Sequence, residues 1–381
     1  SSIMTTESSS PMNGTNDTET AYCDEHPILR LYFVTVGTTI AAFGCACNLL
    51  LLFVFLTKNR RQWSTYLIFL AILDFLLCFL YVTSFGLEYI VKYFRVHFLY
   101  EPIRLTTTYQ FTLSKVVQVC IPYVLIAISA ERLAWIGKII RMRDRGSDRR
   151  SLLVCICTAA LWTALRIPGF YAIQIDAYPE QCDFFESMPM LSTDLAGDKQ
   201  YQQYDLLINF FHLFVSFCVL FILNLLIVHR LRLSHQNARR NSSCPNVILS
   251  ATKQIALHEE KKEHKRLRCA IKTTAVVISS YLACNSIHFA LYMMEMFNSE
   301  ILKSDDNGFN MFYVIASDVG TILFVFCSTI RLLIYYKYNP DVKSALKTIS
   351  CLSISQANRP KTSAYECTLP LQTDKESPSS V

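Results

Sequence analysis

The chain has 381 residues, of which 52% are hydrophobic, 13% aromatic and only 17% charged, with a formal net charge of +6. A soluble chain of this length does not need so much apolar material. A soluble enzyme is excluded: runs of about 20 apolar residues, enough to cross a hydrocarbon core about 30 Å thick, recur between short charged segments.

Residues 1–30 form an N-terminal tail, polar through Pro27 with no hydrophobic run. A cleavable signal peptide is therefore not expected, and the first span is expected to act as its own targeting signal; a chain that opens on Ser1 implies a truncated N-terminus. The tail carries two glycosylation sequons, at Asn13 and Asn16. Apolar runs then predict seven spans within 31–336, at about 31–56, 66–91, 112–135, 152–175, 206–228, 270–296 and 309–336. The expected fold class is an all-α membrane protein, a seven-transmembrane helix bundle. The third span is the least hydrophobic, because it holds Lys115, Gln118, Glu131 and Arg132. After the seventh, Asn339 can cap and Pro340 can open a short helix over 339–350. Val342, Ala345, Leu346 and Ile349 share one face and Lys343 and Lys347 another, so this helix is expected to lie on the membrane surface. Cys351, just past it, is a candidate palmitoylation site, with an unmodified thiol as the alternative. Residues 351–381 are rich in Ser, Thr and Pro and are expected to be disordered.

Charge orients the bundle. The connections 57–65, 136–151, 229–269 and 337–350 hold 22 Lys and Arg residues, whereas the tail and the connections 92–111, 176–205 and 297–308 hold six. The basic side is expected to be cytoplasmic, which puts the N-terminus outside and the C-terminus inside a multi-pass plasma-membrane protein. Of 15 cysteines most fall in or beside apolar helices, where a thiol is commonly a small buried hydrophobe.

Polar residues inside spans should face the bundle interior. Tyr281, Asn285, His288, Tyr292 and Glu295 recur at helical spacing on the sixth span, Asn209, His212 and Ser216 on the fifth, and Asp318, Thr321, Ser328, Arg331 and Tyr335 on the seventh. With Lys115 and Gln118 on the third, they predict a hydrated cavity opening outward. Its candidate ligand-binding residues are Lys115, Gln118, His212, His288, Tyr292, Glu295 and Asp318. Separate interhelical hydrogen bonds are the plainer alternative. No nucleophile motif, phosphate loop or zinc spacing occurs, so neither catalysis, nor a cofactor or metal, nor a nucleic-acid partner is expected.

Several of these residues fall in a recognisable order. Asn48 lies within Gly44-Cys45-Ala46-Cys47-Asn48, Asp74 ends Leu70-Ala71-Ile72-Leu73-Asp74, and Glu131-Arg132-Leu133 closes the third span, with Trp162 in the fourth and Tyr335 ending the seventh. Across about residues 30–350 the chain resembles the rhodopsin-like G-protein-coupled receptors. Tyr281 to Asn285 and Ser328-Thr329 before Ile334-Tyr335 look most like receptors for FMRFamide-type neuropeptides. The resemblance implies an extracellular peptide ligand, a heterotrimeric G protein and outward movement of the sixth helix. Asp74, Glu131, Arg132, Arg331 and Tyr335 would carry activation and coupling, and Asn48 and Trp162 structural roles. A chemoreceptor of the same fold for small molecules is the first alternative and a seven-helix transporter the second.

The sequence departs from that family at Thr107, where a third-span cysteine is usual, and at Ser216, Asn285 and Ile287, which replace a proline, a tryptophan and a proline. Arg331-Leu332 stands where the family has Asn-Pro or Asp-Pro, near an aspartate that in many members helps hold sodium. Asp74 is therefore expected to pair with Arg331, with Arg331 reaching out to the cytoplasmic headgroups as the alternative. With the usual bridge unavailable, Cys23 and Cys182 are expected to pair with each other. The acidic segment 176–205 and Glu295 point to a basic, amidated peptide, with Glu295 or Asp318 meeting its cation. The ending Ser379-Ser380-Val381 fits a PDZ groove, and tail hydroxyls could recruit arrestin once phosphorylated.

Overall fold

The computed structural model describes residues 28–57, 65–136, 145–177, 183–241, 251–297 and 311–357. Asn13, Asn16, Cys23 and Cys182 lie outside them. Among the described residues seven helices are long and apolar enough to cross a membrane. The first is α1 (Ile28–Thr57); α2 (Thr65–Tyr81), a π-helical turn at Val82–Gly86 and α3 (Leu87–Tyr93) make the second. The third and fourth are α4 (His97–Ile136) and α5 (Arg145–Tyr171). A small antiparallel hairpin follows, β1 (Ile173–Ile175) and β2 (Met190–Ser192) with Gln174 opposite Leu191, and then the short α6 (Asp194–Gly197). The fifth span joins α7 (Lys199–Asn209) through a π-helical turn at Phe210–Val215 to α8 (Ser216–Asn241). The sixth is α9 (Ala251–Phe297), the seventh α10 (Met311–Tyr338), and α11 (Pro340–Ala357) closes the described chain. We call the end of the bundle at which α1 begins the near end, and the end at which α10 finishes the far end.

The first four spans pack each on the next, as do the fifth to seventh, α10 closes the ring on α1, and α4 runs through the middle, touching the second, fourth, fifth and sixth spans. Phe55, Leu70, Ile121, Leu125, Leu220 and Ile278 belong to one buried apolar cluster to which all seven spans contribute. The bundle's outside is equally apolar: Phe43, Phe53, Leu153, Ile156, Ile222 and Leu333 are exposed, as side chains that face lipid tails would be.

Several boundaries differ from the sequence expectation. The third span starts at His97 rather than near 112, so the expected connection 92–111 shrinks to the turn between α3 and α4. Its first turns carry Glu101, Pro102 and Arg104, which read as loop to a hydropathy scan, yet a helix of 40 residues is longer than lipid requires and its polar turns simply stand clear of the membrane. The fifth and sixth spans likewise run past their apolar stretches. Finally, α11 continues through Ala357, with no glycine or proline to stop it before Pro360, so Cys351 lies on this helix and residues 351–357 are helical rather than disordered. Its start follows the cap logic: Asn339 Oδ1 accepts the Asp341 N–H at 3.0 Å and the Val342 N–H at 3.5 Å. Val342 and Ala345 are buried on the bundle, and Lys343 and Lys347 are exposed.

Loss of the fifth-span proline does not leave a regular helix. The Ser216 N–H skips the His212 carbonyl and reaches those of Phe211 and Leu213, while the Ser216 hydroxyl donates to the His212 carbonyl. The Tyr123 hydroxyl, from α4, donates to the Phe211 carbonyl at 3.1 Å. Serine back-bonding thus accompanies a π-bulge where proline would have opened the ladder. Ser216→Ala is expected to lower the melting temperature in detergent, corresponding to about 1 kcal/mol for one half-buried hydrogen bond within the span.

Candidate functional site: a polar cleft at the near end

A shallow cleft opens between the third, fourth and fifth spans, lined by Phe111, Thr112, Lys115, Arg166, Gly169, Tyr201, Asp205 and Asn209. Its polar wall is a connected set. Arg166 Nη1 lies 3.2 Å from Asp205 Oδ1, Arg166 Nη2 donates to Asn209 Oδ1 at 2.9 Å, and Asn209 Nδ2 returns a bond to Asp205 Oδ2 at 2.8 Å. This triangle ties α5 to α7. Arg166 is buried, so its charge is tolerable only because acid and amide face it. Lys115 stands within the fields of Arg166, Asp205 and Glu295, which extends the network from the cleft toward the sixth span.

Of the seven residues expected to bind ligand, Lys115 alone lines this cleft, together with Asn209 from the fifth-span stripe. Gln118 is half-buried one turn further along α4. His212 falls inside the π-bulge, where helical spacing is broken, yet stays half-buried and within the fields of Lys115, Arg166 and His288. His288 lies against the seventh span: a Cβ added at Gly320 would sit 2.9 Å from its Cε1, so glycine is what lets the ring approach. Tyr292 is buried and feels Glu295 and Asp205. Asp318 lies 4.0 Å from Arg30 Nε on the first span, so the chain itself offers that acid a cation. Among the described residues no three His, Cys, Asp or Glu side chains come together as metal ligands.

Arg166 and Tyr201 were missed from sequence. A single ionisable residue inside the apolar run of the fourth span was the available signal. Asp205 had been counted with the acidic connection; α7 instead carries it into the fifth span.

Toward the middle of the bundle, Arg331 Nη1 donates to Asp74 Oδ2, and both side chains are 1% exposed. Asn48, fully buried, donates to the Ser328 carbonyl at 3.4 Å and links the first and seventh spans. Asn285 donates to the Tyr281 carbonyl at 2.9 Å, and Trp162 packs on Tyr123 with ring centroids 4.9 Å apart. At the far end Arg132 is buried and Glu131 half-buried, and Tyr335 meets Phe55 edge-on at 5.7 Å.

Seven helices long and apolar enough to cross a membrane make this a multi-pass membrane protein. The chain belongs to the 7 transmembrane receptor (rhodopsin family), whose model matches residues 47–330. No curated protein matches it.

Proposed function

We propose that this receptor takes a basic, amidated peptide at the near end, facing outside, and passes the signal to a heterotrimeric G protein at the far end. The observation that carries the ligand reading is the acidic face around the cleft. Asp183, Asp194 and Asp198 are exposed on the connection that joins its two walls, against Lys199 as the base, and Asp205 stands on the cleft wall itself. Such a rim concentrates cations and speeds their capture. We assign Glu295 or Asp318 to the peptide's cation, with Tyr292 and His288, on the same face of α9 as Glu295, for an aromatic group. For the other end, the basic balance of the far-end connections supports the cytoplasmic assignment. Arg132, held at the inner end of the third span, is the residue we assign to coupling through a change of partner when the sixth helix moves.

The test is a second-messenger panel of amidated basic peptides, acidic peptides and small odorant-like molecules in cells expressing the full chain. Basic peptides are expected to activate, with Glu295→Gln losing roughly 10-fold or more in potency, the loss expected of a charge-assisted contact. Arg132→Ala is expected to abolish the response while radioligand binding persists. Activation by acidic peptides alone, with Glu295→Gln unaffected, would refute the ligand class.

A further inference from the structure

The turn from α3 into α4 contains an anomaly. Arg95 has φ 51°, the left-handed conformation that glycine adopts cheaply, in a helix-ending motif where the Val96 N–H reaches the Val91 carbonyl at 3.0 Å and the Arg95 N–H that of Lys92 at 3.3 Å. What arginine supplies there is reach. Its Nη2 lies 3.6 Å from Asp183 Oδ2, and its guanidinium sits 5.8 Å from the Phe185 ring.

Phe185 is buried in a small satellite core with Val91, Tyr100 and Ile103. Its ring meets His97 at 4.8 Å and Tyr100 at 5.4 Å, and Phe184 meets the same two at 4.9 and 5.3 Å. Three residues on, the Met188 carbonyl accepts from Arg104 twice, from Nε at 2.8 Å and from Nη2. The third arm of that guanidinium, Nη1, lies 2.7 Å from Glu88 Oε1, which Lys92 also approaches at 3.2 Å. Arg104 and Glu88 are both buried. One arginine on α4 therefore holds the second span and the connection between the fourth and fifth spans at the same time.

Arg104 precedes Thr107 by three residues and so shares its face of α4. Met188 leads into β2, which pairs with β1, and this hairpin links the α5 and α7 walls that contribute Gly169 and Tyr201 to the cleft. We infer that Arg104 is a positioning residue for ligand binding: with Glu88 and the Phe184–Phe185 pair it tethers this connection to the third span, the task a disulfide at Thr107 would perform. A guanidinium suits the task because its rigid fork serves a carbonyl and a carboxylate together, which an ammonium cannot do in the same geometry. The inference rests on the cleft being the ligand site.

The experiment is hydrogen–deuterium exchange of the β2 amides Met190–Ser192 on the full chain in nanodiscs, read beside peptide potency in cells. Arg104→Ala is expected to speed exchange roughly 10- to 100-fold, the range of a lost charge-assisted contact, and to weaken potency by a similar factor while the maximal response survives. Arg104→Lys should fall between. Should Arg104→Ala not fold, Glu88→Gln keeps the carbonyl contact, and a rise of roughly 3- to 10-fold in exchange is expected. Arg95→Gly should move exchange little, because its ion pair is exposed and glycine relieves the left-handed backbone. Unchanged exchange in both Arg104→Ala and Glu88→Gln would overturn the tether. Faster exchange with unaltered potency would overturn the positioning role. A wild-type chain that no peptide activates would instead sink the receptor's ligand assignment, and the exchange arm would still decide the tether.

Discussion

Alanine in place of Arg331 is expected to cost the receptor most of its folded population at the cell surface. Arg331 and Asp74 are each 1% exposed and bonded to one another, so removing either strands an uncompensated charge in the bundle. Breaking a buried pair in this way costs about 3–5 kcal/mol, a large part of the stability of any domain. Asp74→Ala should fail to a similar degree. Converting both to apolar residues, Asp74→Leu with Arg331→Met, is expected to recover most of the loss, since desolvating an ion pair already offsets much of its attraction. Exchanging the two, Asp74→Arg with Arg331→Asp, should recover part. Thermal melting of purified protein and surface labelling would measure all four. If Arg331→Ala melts and expresses like wild type, the pair contributes nothing. A guanidinium fixed at this place also occupies the niche that sodium fills in many family members. Agonist affinity is accordingly expected to stay constant when sodium is replaced by an equimolar organic cation.

The second large effect is steric. A Cβ added at Gly44 would lie 2.4 Å from Thr329 Oγ1 on the seventh span and 2.7 Å from Cys78 Sγ on the second. Neither neighbour can simply swing away: Thr329 Oγ1 donates to the Val325 carbonyl at 3.0 Å, and Cys78 is fully buried. Small residues are what allow helices to approach this closely in lipid, where packing must supply what the hydrophobic effect cannot. Gly44→Ala should therefore cost about 1–3 kcal/mol by overpacking. Gly44→Leu should prevent the first span from docking at all. The combination Gly44→Ala, Thr329→Ala and Cys78→Ala removes the two offending atoms and is expected to melt nearer to wild type than Gly44→Ala does. A triple variant less stable than the single would show that the contact does not limit the site.

The spans were legible because a bilayer demands about 20 apolar residues of each, a requirement visible without any partner. The Asp74–Arg331 contact was legible for a related reason: two opposite charges in apolar helices have few other places to go. Hydropathy was blind wherever helix outlasts lipid, as at His97–Phe111 and in α11 beyond Ser350. Periodicity failed at Phe210–Val215, where a π-bulge shifts His212 off the expected register. Arg166 was overlooked because its run averages as apolar, and the Arg104 tether because its targets are a backbone carbonyl and a carboxylate that sequence spacing does not connect.

The length of α9 has a mechanical consequence. Its 47 residues, at about 1.5 Å each, make a rod of roughly 70 Å, more than twice the hydrocarbon thickness. Only Arg268–Phe297 is apolar enough to span, so the segment from Ala251 projects past the far end. Pivoting near Asn285, such a rod has an arm of roughly 50 Å toward Ala251, and a tilt of about 10° would sweep its tip through roughly 9 Å. A shift of roughly 2 Å beside Tyr292, about 10 Å from that pivot, would then arrive at the other face of the membrane amplified roughly fivefold. Leverage of this kind lets a small shift at the near end of the sixth span produce a large gesture, and shortening the projecting turns should shrink the gesture without touching the cleft.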